Sequence, residues 1–389
     1  MKITFITYHN WDTKRQGGFH KFAEAAARAG HDVVFFSYPR PYYIRYKHNE
    51  RLNGKVLRLL KRGTKYNLGY NSSLINCTWP TFEVPGPLRR FLSKSVIDFF
   101  SNMSLTPFKA FSDKFLTGTD CFVLESVGIS LYDRLKKLHP KAKFIYRPSD
   151  PVMLPTAAPD AVEKEKQFLL SCDKALIVNR QGVELYRRNI PDFDKKVSYE
   201  IISNGVDSDA YKMKYDCPEE LKRDNTALYM GAFPPNMDVV FYAAEKNPDI
   251  NFIIVCPEPL KEKDQEKQAS FNNVIYVPGV SPKEVPAWVT NANLIIVPKP
   301  ENVYKYKPWG IIAKYYQAMV AGKPVVAYHD TEELNDYGVS VNYTMKEFAK
   351  SIASHIHDGV VEYGFDCKRM DCNVKTNQFL KALESVCEE

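Results

Sequence analysis

The chain has 389 residues, 44% of them hydrophobic and 25% charged, with a formal net charge of +7. That length exceeds one compact core and sets an expectation of two domains, while the composition excludes a disordered or fibrous chain. No run approaches the roughly 18 uninterrupted apolar residues of a membrane-spanning helix.

Residues 2–7 read as a buried first strand, and the chain opens on this apolar alternation rather than on a charged and then apolar leader, so a cytoplasmic protein is expected. Gly17-Gly18 lead into Phe19 to Gly30, where Phe22, Ala25 and Ala26 recur at helical spacing, and Asp32 to Ser37 is a second strand. Strand, glycine turn, helix, strand is a βαβ unit, so the sheet begins parallel. After a basic segment the alternation resumes: strand Asp120 to Leu124, helix Ser130 to Leu138, strand Lys143 to Tyr146, helix Ala161 to Cys172, strand Lys174 to Val178, helix Gln181 to Arg188 and extended Val197 to Ile202.

Beyond Ser203 to Asn225, rich in Asp, Lys and Pro, the alternation restarts. Thr226 to Met230, Asn251 to Val255, Val274 to Val277, Leu294 to Val297 and Pro324 to Ala327 read as strands. Val239 to Asn247, Pro282 to Asn291 and Ile311 to Val320 read as helices. The expected architecture is therefore α/β of the GT-B type: two Rossmann-like doubly wound domains facing each other across a cleft. The boundaries expected are 1–205 for an acceptor domain, 206–225 for a linker and 226–365 for a nucleotide-sugar domain, with 366–389 a C-terminal helix that returns to the first domain. Ligands of such folds bind beyond the carboxyl ends of the strands.

The basic segment holds Arg40, Arg45, Lys47, Arg51, Lys55, Arg58, Lys61, Arg62 and Lys65, opposed by Glu50 and interleaved with Tyr and Leu residues. Leu88-Arg89-Arg90-Phe91-Leu92 with Lys94 repeats that character. No nucleic-acid motif accompanies them, so nucleic acid is not an expected partner. Two readings stand: a solvated loop, or contact of residues 40–65 and 88–94 with an anionic membrane surface, which would make the protein peripheral to the inner face of the plasma membrane. The eight cysteines lack paired C-x-x-C spacing and read as reduced thiols, and no structural metal is expected. The Asn-x-Ser/Thr matches at Asn71, Asn76, Asn102 and Asn342 carry no weight without a secretory signal.

Four segments carry candidate chemistry. Asn204-Gly205-Val206-Asp207 resembles the interdomain junction of many GT-B glycosyltransferases, although Asn-Gly after a strand is also simply a sharp turn. Lys314-Tyr-Tyr-Gln317 resembles their donor helix: the two positions share a face, so Lys314 would neutralise a diphosphate oxygen and Gln317 would bond the ribose hydroxyls. Read alone, that pair is a solvated helix face. Phe122-Val-Leu-Glu125-Ser126 and Tyr146-Arg147-Pro148-Ser149-Asp150 resemble the Glu-Ser and Tyr-Arg-x-Ser-Asp segments of the GumK-type glucuronosyltransferases, glycosyltransferase family 70, with His9 and His20 at the separation of two histidines in that family.

This resemblance implies an inverting, metal-independent transfer with Asp150 as general base, a UDP-sugar as donor and no cofactor. It implies a polyprenyl-diphosphate-linked saccharide as acceptor in exopolysaccharide assembly. Asp150-Pro151 is otherwise a plain turn. Acceptor contacts are assigned to His9, Gly17, Gly18, His20, Glu125 and Arg147, a lone His being as often a satisfied structural group. Donor contacts are assigned to Gly231, Phe233, Lys299, Lys305, Lys307, Lys314 and Gln317. The chain departs from the family at Ala313 and Phe233, where the family has methionines, at Val280 (a glutamate) and at Lys299 (a tyrosine). Asp207-Ser208-Asp209 matches a metal-binding D-x-D pattern in spacing, but it falls in the expected linker, and the lysines with the helix N-terminus near Gly310 would neutralise a leaving diphosphate without an ion. The alternatives are a retaining GT-B transferase of family 4, which usually pairs its donor lysine with Glu rather than Gln, and a non-catalytic nucleotide-binding protein.

Overall fold

The computed structural model describes residues 1–13, 16–43, 54–69, 71–154, 157–299, 311–364 and 366–388, and of 54–57 and 367 the backbone alone. The chain divides into two units, Met1–Asn204 with Thr376–Glu389, and Gly205–Lys375.

The strands of the first unit are β1 (Lys2–Thr7), β2 (Asp32–Pro41), β3 (Thr64–Gly69), β4 (Ser72–Thr81), β5 (Cys121–Leu124), β6 (Lys143–Tyr146), β7 (Lys174–Ile177) and β8 (Tyr199–Ile201). They form one sheet in the order β3-β4-β2-β1-β5-β6-β7-β8, parallel except for the antiparallel pair β3 and β4. Parallel strands are covered on both faces, which is why these read as apolar runs. Ile3, Phe5, Phe35 and Val123 face one core, while Ile6, Phe36, Phe122 and Phe144 face the other. On the first of these faces lies the helix Gly18–Arg28, which buries Phe22. Phe379, from the C-terminal helix Cys372–Glu388, stacks on that ring with centroids 4.6 Å apart, a contact contributing about 0.5–1.5 kcal/mol beyond its buried area.

The hairpin β3–β4 and the helices Gly86–Arg89, Lys94–Ser101 and Phe108–Phe115 fill a stretch in which the sequence pattern predicts no element. β3 alternates half-buried with exposed residues, as an edge strand does, so its apolar signal is weak.

The second unit has β9 (Thr226–Met230), β10 (Asn251–Val255), β11 (Val274–Val277), β12 (Leu294–Pro298), β13 (Val325–Tyr328) and β14 (Ser340–Asn342), all parallel, in the order β11-β10-β9-β12-β13-β14. Renumbered from β9 this is the 3-2-1-4-5-6 order of a Rossmann sheet. Residues 206–225, expected as a linker, pack into this unit instead. Val206 pairs with Asp371, and Tyr211 and Leu221 are buried in its core, because the Asp- and Lys-rich stretch carries an apolar residue at each short helical turn.

Strand order reverses between β1 and β5 in the first unit and between β9 and β12 in the second. Each reversal opens a crevice at the carboxyl ends of the strands, where the connecting chains diverge to opposite sides. Among the described residues no helix is long and apolar enough to cross a membrane.

Candidate active site

In the first unit the strand-order reversal is occupied by Glu125, the residue after β5. It is 7% exposed, and both carboxylate oxygens are engaged: Oε2 accepts from Thr7 Oγ1 at 2.5 Å and from the Tyr8 amide at 3.1 Å, and Oε1 accepts from Ser149 Oγ at 2.5 Å. Thr7 and Tyr8 end β1, and Ser149 lies in the loop leaving β6. Next to it, Ser126 Oγ donates to the Asp150 carbonyl at 2.7 Å. The Glu-Ser and Ser-Asp segments are thus two halves of one hydrogen-bonded arrangement. Asp150 is exposed, and its carboxyl is pushed above the ordinary carboxylate range by the protein packed around it and then by the charge of Glu125.

Arg147 is 1% exposed, with Nη1 donating to the Pro148 carbonyl at 2.9 Å and Nη2 to Asn204 Oδ1 at 2.6 Å. Its guanidinium lies 5.3 Å from the Phe22 ring centroid, and Nε is buried with no partner among the described residues. Burial pulls its pKa down to about 10, against the pull of Glu125. A Cβ on Gly18 would run into Asn204 Oδ1, so a side chain there must push the Asn204 amide aside. Gly205 is held to glycine more strictly, being left-handed (φ +67) with a would-be Cβ 2.8 Å from the Cys372 Cα. Gly18, Asn204 and Arg147 therefore meet at one place.

His20 is 2% exposed. Its Nδ1 accepts from the Gly17 amide at 3.2 Å, Nε2 donates to the Asn10 carbonyl at 3.0 Å, and the ring packs on Trp11 and Phe35. Burial lowers its pKa to about 4, so the ring is neutral near pH 7. Both nitrogens serve the fold, Nδ1 capping the helix Gly18–Arg28 and Nε2 holding the Asn10 carbonyl, which leaves neither for an acceptor. His9 is half-buried, its ring 5.6 Å from that of His20.

In the second unit Gly231, just past β9, approaches the Tyr229 hydroxyl so closely that a Cβ would collide with it. The same hydroxyl donates to the carbonyl of the exposed Phe233 at 2.9 Å. Lys314 Nζ sits 4.3 Å from the Tyr229 ring centroid, and no carboxylate lies within ion-pair distance of it among the described residues. Burial first, and the charge of Lys299 second, lower the Lys314 pKa to about 8, opposed by Asp330. Lys299, just past β12, is paired with Asp330 Oδ2 at 2.5 Å. Tyr315 also donates to that carboxylate, and the Thr331 amide donates to Oδ1 at 2.8 Å. Gln317 is half-buried, with its amide close to the Tyr211 phenol. Lys305, Lys307 and Gly310 lie outside the described residues, as do Arg45, Lys47 and Arg51. Asp207 Oδ1 accepts from the Ala210 amide at 3.2 Å, and among the described residues no three His, Cys, Asp or Glu side chains gather as a metal site.

Residues 5–178 match the family model of the glucuronosyltransferase GumK N-terminal domain, and residues 220–358 match that of glycosyl transferases group 1. The chain is a glycosyltransferase of the GT-B fold, similar to GumK in its first unit.

No curated protein matches the glycosyltransferase with significance by sequence. Among solved structures it is similar to sucrose-phosphate synthase from Thermosynechococcus elongatus (16% identity, TM-score 0.62, 99% of this chain and 96% of that one). Anabaena HepE in complex with UDP gives 12% identity and a TM-score of 0.64, with 99% and 100% covered. A glycosyltransferase from Rickettsia africae gives 11%, 0.59, 99% and 98%. At these identities the likeness is one of fold.

Three residues of the glycosyltransferase's candidate sites escape a reading of its sequence. Asp330 follows β13 at a carboxyl strand end, a position that is itself a usable signal. Asn204 gives no sign that its side chain, rather than the turn, joins Arg147 to Gly18. Glu165 lies on the buried face of the helix Pro159–Leu169 with Phe168 and Leu169, and accepts from the Tyr146 and Tyr186 hydroxyls and the Val152 and Met153 amides.

Proposed function

We propose that the protein moves a sugar, with glucuronate the leading candidate, from a UDP-sugar onto a hydroxyl of a polyprenyl-diphosphate-linked saccharide, with inversion and without a metal ion, in polysaccharide assembly. The observation that carries this reading is Asp150: a solvent-reachable carboxylate at the carboxyl end of a sheet, with raised proton affinity and a loop tied down on either side. In the reaction the acceptor oxygen attacks the anomeric carbon, its proton passes to Asp150, and the bond from that carbon to the diphosphate breaks to release UDP. Lys314 stabilises the charge that gathers on the leaving diphosphate. UDP as the nucleotide is supported by HepE, solved with UDP and with UDP-glucose, and glucuronate by the GumK N-terminal match.

An acceptor held at a membrane is supported by the surface of residues 88–105. Phe91 is 71% exposed and Phe99 62%, and Leu88, Leu92, Val96, Met103 and Leu105 are exposed beside Arg89, Arg90 and Lys94. Apolar side chains in reach of an interface, with basic residues each contributing about 1 kcal/mol near anionic lipid, suit peripheral binding. A retaining transfer is the second reading, favoured by the group 1 match of the second unit. The anomeric coupling of the product in proton NMR separates the two.

The test is UDP release from UDP-glucuronate with polyprenyl-diphosphate-linked saccharides. Turnover should survive EDTA and fall by about 10²–10⁴ in Asp150→Asn, the usual range for a lost general base. Wild-type turnover in that variant refutes the assignment.

A further inference from the structure

Asp150 stands on an exposed loop, where a carboxylate would ordinarily sample many positions. Its neighbours prevent this. Ser149 is held through its hydroxyl by Glu125, the Asp150 carbonyl is held by Ser126, and two residues further on the Val152 and Met153 amides donate to Glu165 at 3.0 and 2.7 Å. Of these anchors Glu125 has the longest reach. One carboxylate oxygen takes the end of β1 through Thr7 and Tyr8, and the other takes the loop after β6. It therefore spans the strand-order reversal and ties the loop to the middle of the sheet.

We propose that Glu125 is a positioning residue for the reaction, fixing Asp150 through Ser149 rather than binding the acceptor. The inference rests on the reading of Asp150 as the base. Three arguments carry it. Glu125 is buried with both oxygens engaged by the protein, so no oxygen is presented to a saccharide hydroxyl. Its surroundings supply hydroxyl and amide donors, which an acceptor-only carboxylate satisfies without conflict. Its charge also lies close enough to Asp150 to raise that group's proton affinity, which brings a carboxylate base nearer to working pH. The other titratable groups around Glu125 are Arg147, whose cation opposes it, and His20, buried as the neutral ring with His9 beside it.

The experiment compares wild type, Glu125→Gln, Ser149→Ala and Asp150→Asn. It reads kcat and KM against pH for UDP-glucuronate transfer, and the titration of Asp150 by carboxyl NMR in the free protein. Glu125→Gln keeps the size of the side chain and removes its charge. Its kcat should fall by about 10- to 100-fold with donor KM unchanged, since displacement of a catalytic group by about 1 Å costs on that order. Asp150 should titrate at lower pH, and the acid limb of kcat/KM should move down with it. Ser149→Ala removes only the donor to Oε1 and leaves Glu125 Oε2 held by Thr7 and Tyr8, so it perturbs the fold less than a change at Glu125; its kcat should fall several-fold, to roughly a third or less. Wild-type kcat in both variants with Asp150 titrating unchanged, while Asp150→Asn is inactive, overturns the role of Glu125 alone. Full activity in Asp150→Asn overturns the base assignment beneath it.

Discussion

Asp150 in the first unit is an exposed carboxylate on a tethered loop, whereas Lys314 in the second is a half-buried ammonium over an aromatic face, with Asp330 neutralising its neighbour Lys299. The first group is governed by hydrogen bonds that decide where it is. The second is governed by desolvation and a like charge that decide whether it is charged. Base chemistry needs a fixed direction of approach, while neutralising a diphosphate needs charge more than direction. The two sites should therefore fail differently: the first when an anchor is removed, the second when pH or a charge partner changes.

The largest effect expected from breaking this contrast is in Asp330→Asn. It leaves the Lys299 ammonium, with 17% of its side chain exposed, facing a neutral amide. Removing one partner of a buried pair costs on the order of 3 kcal/mol, so thermal denaturation should show the second unit losing that much stability. Next comes Lys314→Ala, which should weaken UDP binding about 10- to 100-fold by calorimetry, in line with loss of a charge-assisted contact of roughly 1.5–3 kcal/mol. In wild type the same contact should fade as pH rises through about 8, because the site's cation is lost as Lys314 deprotonates; in Lys314→Ala the UDP affinity should be flat across that range. The smallest effect is expected from Gly18→Ala. Its methyl group meets the Asn204 side chain and must displace it from Arg147, a strain of about 1–3 kcal/mol that lowers the melting temperature of the first unit and leaves UDP affinity untouched.

Much of this was readable before coordinates, for a physical reason. Parallel strands buried on both faces, such as Lys2–Thr7 and Asn251–Val255, are apolar runs of fixed length between helices. β4 resisted that reading because its buried positions include polar residues: Asn76 is fully buried, donates to the Phe35 carbonyl at 2.7 Å and accepts from the Trp11 amide at 3.0 Å. Polar side chains that complete each other inside a sheet leave no periodicity to detect. The candidate sites divide in the same way. Asp150, Glu125 and Lys314 stand in short segments that resemble a known family, so their positions are legible, while the role of Glu125 is not, since spacing does not reveal which donors surround a carboxylate. Asp330 and Glu165 are single acidic residues with no companion at fixed spacing, and contacts made in the folded chain alone distinguish them from a solvated charge.

The most direct test of the division of labour is UDP calorimetry and transfer turnover measured side by side on Asp150→Asn. The account predicts that this variant binds UDP with wild-type affinity and transfers about 10²–10⁴ times more slowly. Loss of UDP binding, or transfer at the wild-type rate, would contradict it.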